Sequence, residues 1–257
     1  HVLVAGAEDV LQGAGEAVAG TADKHGAHAH LAGALDVGLH AVAHHDRGGR
    51  GLANRGQRRL EDGRVRFQEP ATLRAALGIA DADATAANWQ TLRDALPPDG
   101  SRHELLDGAL IVTPSPGIPH QRMVVGLSRL LLASCPADLE VFFGPLDVTL
   151  ASDTVLVPDL LVVHRSQATG ATLDGVPLLA IEVASSSTRI VDRNLKLPRF
   201  ERAGCPSFWI VDPIDPSLTA WELRDGHYVE VAHVVGAQSW SATLPFPVTI
   251  RPAELIA

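Results

Sequence analysis

The chain has 257 residues, 46% hydrophobic and 20% charged, with a formal net charge of −9 and only two cysteines. That length allows one ample core or two small ones. Cys135 and Cys205 lie in separate segments and form no CxxC, which excludes a disulfide framework and predicts a reducing, cytoplasmic setting. No run of about 18 apolar residues is present to span a membrane, and no basic region followed by an apolar stretch marks a secretory signal. The acidic balance argues against a broad basic surface, though not against a local basic groove.

Composition changes along the chain. The first 66 residues contain no Phe, Trp or Tyr, 21 of the first 50 are Ala or Gly, and seven of the twelve histidines fall in the first 45 positions. Such a stretch has little apolar area to offset the entropy of ordering it. Residues 1–68 are therefore expected to be a low-complexity extension, disordered or read through from a misplaced start, and residues 69–257 to form one folded domain. The histidines of "HGAHAH" (His25, His28, His30) and "AVAHHD" (His44, His45) are spaced as in a biased tail, not as metal ligands.

From Phe67 onward ordinary punctuation appears. "NWQTLRDAL" (88–96) predicts a short helix stopped by Pro97 and Pro98. "HELLDGALIVTP" (103–114) predicts two strands around an Asp107-Gly108 turn. Over 119–134, Met123, Val124, Leu127, Leu130 and Leu131 form an apolar helical stripe, with Pro119 in the first turn. Strands are predicted at 139–144, 146–151, 155–163 and 177–183. A helix follows over about 188–203, with Gly204 at its left-handed cap, then a strand at 207–212 and a hairpin at 218–235 around Asp225-Gly226. This order predicts an α/β sandwich of a single domain, with mixed strand directions. The sequence contains no GxGxxG, Walker loop, GxSxG or HExxH.

Two carboxylates stand in apolar runs, Asp159 in "VLVPDLLVV" and Glu182 in "PLLAIEV". A buried carboxylate must be protonated, paired or bound to a cation. A hard dication such as Mg²⁺ would take both. Alternation puts Glu182 on the face of Ala180, opposite Ile181 and Val183. Lys196, the only lysine after residue 24, follows on the next helix, one turn after Asp192. Plainer readings stand beside these. Asp159 could cap a turn after Pro158, Glu182 could pair with Arg189, and Lys196 could be a solvated partner of Asp192.

The segments "HELLDGALIV", "PHQRMVVGL", "VPDLLVV", "IEVASSST", "DRNLK" and "ERAGCPSFWIVDP" occur in unbroken order over about 89–230. Together they resemble the Uma2 family of restriction endonuclease-like proteins, within the PD-(D/E)xK nuclease superfamily. The resemblance implies an α/β fold with a restriction-endonuclease-like core, a central mixed β-sheet flanked by helices, and a metal-dependent endonuclease hydrolysing DNA. It implies Mg²⁺ or Mn²⁺ on Asp159 and Glu182, and a catalytic set of Asp159, Glu182, Lys196, Glu104 and His120. The lysine usual two residues after the second acid is absent, since position 184 is Ala, and Lys196 on the following helix matches it. Other departures are Ser186, His103, Phe200, Ala109 and Pro198, the last a helix breaker inside the Lys196 helix. The expected partner is DNA, with no membrane; cutting two strands would suit a homodimer. The alternative is a catalytically inactive nuclease-fold module that binds nucleic acid or protein.

Overall fold

The computed structural model of this protein describes residues 66–68, 85–96, 100–185 and 188–256, all within one compact unit, Leu60–Ala257. The expected extension, with its histidines, lies outside the described residues apart from positions 66–68. In chain order the described strands are β1 (Arg66–Gln68), β2 (Arg102–Leu106), β3 (Ala109–Thr113), β4 (Leu139–Phe143), β5 (Val148–Ala151), β6 (Thr154–Leu156) and β7 (Leu160–His164). There follow β8 (Leu173–Asp174), β9 (Leu179–Val183), β10 (Ser207–Asp212), β11 (Ser217–Arg224), β12 (His227–Val235), β13 (Trp240–Ala242) and β14 (Val248–Ile250). The helices are α1 (Ala86–Asp94), α2 (Ile118–Ser134), α3 (Arg189–Val191) and α4 (Leu197–Ala203), with a π-helical turn, Asp192–Lys196, between the last two.

The strands form two six-stranded mixed sheets, flanked by helices as the α/β reading expects. The first runs β1-β3-β2-β6-β5-β8 and the second β12-β11-β10-β9-β7-β4, with β13 and β14 as a separate pair. Each sheet has its own helix. In α2, Met123, Leu127 and Leu131 are fully buried against Leu160, Val162, Ile181 and Val183 of the second sheet. In α1, Trp89 and Leu92 pack on Leu105, Leu110 and Val112 of the first. Between the sheets, Phe200 and Val191 pack with Ala180, Phe208, Ile111 and Leu156. The α3–α4 stretch therefore lies on the face of the second sheet opposite α2.

Local chemistry sets many of these boundaries. Asp107 and Gly108 both have positive φ (49° and 77°), as do Asp225 and Gly226 (51° and 82°). A two-residue hairpin loop whose twist matches its strands requires this, and Asp-Gly adopts it cheaply. Gly204 caps α4 at φ 88°, the left-handed stop its position predicted.

Two elements differ from expectation. The run 155–163 is not one strand. Pro158 has no N–H for a ladder, and the chain leaves the first sheet after Leu156 and enters the second at Leu160. Nor is 188–203 one α-helix. Leu197 N–H donates to Asp192 O, five residues back, so the turn is widened just before Pro198. Pro198 then sits in the first turn of α4, where a missing N–H leaves no helix acceptor unpaired.

A Cβ on Gly126 of α2 would lie 2.0 Å from the Leu255 carbonyl oxygen, so the helix touches the backbone of the C-terminal 3-10 turn Pro252–Leu255. Gly126→Ala should therefore lower stability by about 1–3 kcal/mol, the usual cost of overpacking. Urea titration with an unchanged m-value checks this; an unchanged midpoint would mean that the two backbones move apart freely.

Candidate functional site

The crossing between the sheets at Val157–Asp159 organises the site. Two residues of β2, one strand-repeat apart and so on one face, satisfy its backbone. Glu104 Oε1 accepts the Val157 N–H at 2.7 Å, and Arg102 Nη1 donates to Val157 O at 3.2 Å. On the other side, Asp159 N–H donates to Ile181 O at 3.1 Å, and Gly144 N–H donates to Asp159 O at 2.9 Å. Leu160 pairs with Ile181 in antiparallel register. One residue back on β7 and one forward on β9, Asp159 and Glu182 therefore stand opposite each other. Cross-strand neighbours have Cβ atoms about 5 Å apart.

The Asp159 carboxylate is almost fully engaged. Its Oδ1 accepts from Arg102 Nη2 at 2.6 Å; its Oδ2 accepts from Val183 N–H at 2.8 Å and lies 3.0 Å from His120 Nε2. Burial pushes its pKa upward, but the His120 hydrogen bond and the Arg102 charge outweigh burial and hold it well below the usual carboxylate range. An ionised carboxylate only accepts, so Nε2 carries the imidazole proton. Nδ1 is buried and without a partner among the described residues.

Lys196 occupies the centre of the remaining acids. Its Nζ lies 2.9 Å from Glu104 Oε2, 3.1 Å from Glu182 Oε1 and 3.6 Å from Asp192 Oδ1. All four residues are at most 2% exposed. Burial lowers the lysine pKa, yet the three carboxylates more than reverse this and keep it protonated. Glu182 is the opposite case. Burial raises its pKa well above normal, Lys196 opposes the rise, and Asp192, Asp159 and Glu104 add to it. Asp192, raised by burial against the pull of Lys196, moves up to about 6.

The structure thus brings all five expected site residues together, and the plainer readings of several do not hold. Lys196 is not a solvated helix residue, since only 3% of its side chain is exposed. Arg189 pairs with Asp212 and not with Glu182. Glu104 stands on an interior strand, since β2 lies between β3 and β6. Glu182 faces the side of Ala180, with Ile181 and Val183 turned to α2. Two participants escape a reading of the sequence. Arg102 is legible only from its alternation with Glu104. Asp192 reads as a surface partner, because helical spacing cannot separate an inward from an outward pair.

Four carboxylates (Glu104, Asp159, Glu182, Asp192) face two permanent cations (Lys196, Arg102), 4 − 2, a surplus of two negative charges if all ionise. The donors are hard oxygens and the surplus equals one dication, so the chemistry of the set fits Mg²⁺ or Mn²⁺. As the side chains stand, no three His, Cys, Asp or Glu among the described residues surround an ion-sized point. Lys196 Nζ holds the place where three of the carboxylates meet.

Removing that ammonium leaves three buried carboxylates facing one another. Lys196→Met should cost about 3–5 kcal/mol, the penalty for stripping one partner from a buried ion network. Adding Glu104→Gln to it should recover part of the loss. A double-mutant cycle in urea measures the coupling; strict additivity would show that the acids do not share the lysine.

A family model described as "Putative restriction endonuclease", Uma2, matches residues 89–254. Among solved structures, a match is the crystal structure of "a putative nuclease belonging to DUF820" from Anabaena variabilis. It aligns at 17% identity and a TM-score of 0.50, over 65% of this chain and 96% of that one. At that identity the likeness is one of fold. No curated protein matches the chain.

Proposed function

Because this chain belongs to the Uma2 family, we propose that it is a metal-dependent endonuclease that hydrolyses phosphodiester bonds in DNA. The observation that carries the reading is the convergence of Glu104, Asp159, Glu182, Asp192 and Lys196 in one buried cluster of hard oxygen donors. Asp159 and Glu182 are the residues proposed to hold Mg²⁺ or Mn²⁺. When bound, such an ion polarises a phosphoryl oxygen and lowers the pKa of its water.

The chain's own groups have distinct parts in this proposal. Arg102, His120 and the Val183 N–H fix the orientation of Asp159. Glu104 ties β2 to the crossing and shares Lys196 with Glu182. Lys196 is the compact cation at the centre, suited to stabilising charge that develops on the phosphate. His120 Nδ1, buried and unpartnered among the described residues, is the ring nitrogen left to hydrogen-bond with water or substrate.

One observation favours the second reading, a nuclease-fold module that binds without cutting. The cations of the chain itself occupy the carboxylates, and no open set of three ligands stands ready among the described residues. Single-turnover cleavage of duplex DNA separates the two. A nuclease cuts with Mg²⁺ or Mn²⁺ and not with EDTA, and Glu182→Gln or Asp159→Asn lowers the rate by about 100-fold or more. Binding of the duplex without cleavage under either metal would establish the module instead. Calorimetry with Mn²⁺ adds a readout independent of activity: both variants should bind the ion more weakly than the parent.

A further inference from the structure

The stretch Arg189–Ala203 has two unlike faces. Val191, Asp192, Lys196 and Phe200 are buried, the middle two in the acid cluster. Arg189, Ile190, Arg193, Asn194 and Arg202 are exposed. The stretch holds five basic residues, Arg189, Arg193, Lys196, Arg199 and Arg202, against two acidic ones, Asp192 and Glu201. In the whole chain the balance is reversed, 21 against 30. Positive charge is therefore concentrated on the element that also carries part of the proposed site.

The outward arginines are not all alike. Arg199 is engaged by Asp107, with 10% of its side chain exposed. Arg189 pairs with Asp212 but keeps 54% of its side chain in solvent. Arg193 and Arg202 have no carboxylate partner among the described residues. The Arg193 guanidinium lies 6.0 Å from the centre of the Trp221 ring, which limits its freedom without neutralising it. Glu201, the acid that could offset them, accepts the Tyr228 N–H and lies near His227. From Arg189 to Arg202 the helical rise covers roughly 20 Å, a length along which one DNA strand carries several phosphates.

We infer that the outward face of this stretch is a phosphate-binding surface for a DNA duplex, with Arg193 and Arg202 reaching the backbone and Arg189 at the end nearest the acid cluster. Charge complementarity supports it: unpaired guanidinium groups on an otherwise acidic protein. A helix whose inward face belongs to the site would then register the substrate with its outward face. The inference rests on the nuclease reading and adds the path of the substrate.

The test is fluorescence anisotropy with a short fluorescein-labelled DNA duplex in EDTA, which blocks cleavage, over a range of KCl concentrations. Removing one arginine–phosphate pair should flatten the slope of log affinity against log salt by about 0.9, so Arg193→Gln with Arg202→Gln should flatten it by about 1.8. Arg193→Lys should restore the slope for its position. Arg251→Gln, which removes an exposed arginine paired with Glu254, is the control and should leave it unchanged. Wild-type binding with an unaltered slope in the double variant overturns this surface and leaves the nuclease reading intact. Equal flattening by Arg251→Gln overturns it in favour of a general net-charge effect. Binding of poly-glutamate as tight as that of the duplex, abolished in the double variant, overturns it in favour of an acidic protein partner. Absence of duplex binding by the wild type removes the nuclease reading and this surface with it.

Discussion

A buried ammonium shared by three carboxylates is the constraint on which the rest of the site depends. Glu104 comes from the first sheet, Glu182 from the second, and Asp192 from the helical stretch that also carries Lys196. One cation thus joins three separate layers in a buried position. Each carboxylate alone would be intolerable there. Together they are tolerable only because the lysine stays charged, and it stays charged only because they surround it. Such networks add little net stability over an apolar core of equal volume, but removing one partner is costly. Its persistence in so buried a place is better explained by what it positions than by what it stabilises.

The crossing at Pro158 gives the network its second anchor. Where the chain passes between sheets, three successive residues need partners that neither ladder supplies in full. Arg102 and Glu104 of β2 serve Val157, while Ile181 of β9 accepts from the Asp159 N–H and Gly144, just after β4, donates to the Asp159 carbonyl. The same residues that repair the backbone break also hold Asp159 and Lys196. Structural repair and site assembly are therefore one arrangement. This explains why the acids lie at a seam between sheets, where side chains from both can meet.

The π turn solves a further problem of fit. Asp192 and Lys196 must both face the seam, while a proline follows two residues later. Widening the turn lets Leu197 N–H reach Asp192 O and lets Pro198 begin a new helix instead of breaking an old one. Single π turns of this kind recur at functional positions.

Much of this is determined within short stretches of chain. Two Asp-Gly pairs set both hairpin turns, the stripe Met123, Leu127, Leu131 sets the buried face of α2, and Gly204 sets the end of α4, because each signal depends on backbone conformation or periodicity within a few residues. Asp159 and Glu182 stand out in the sequence as acids in apolar runs and Lys196 as a lone lysine, whereas Glu104 and His120 are singled out only by the resemblance to the Uma2 family. Depth is not legible there. Apolar flanks make Asp159 look like a residue inside one long strand, whereas it stands at a crossing between two sheets. Helical spacing makes Lys196 and Asp192 look like a surface pair, whereas both are buried. Spacing along a chain reports which residues share a face, and only the packing of the second layer decides whether that face meets water or three other carboxylates.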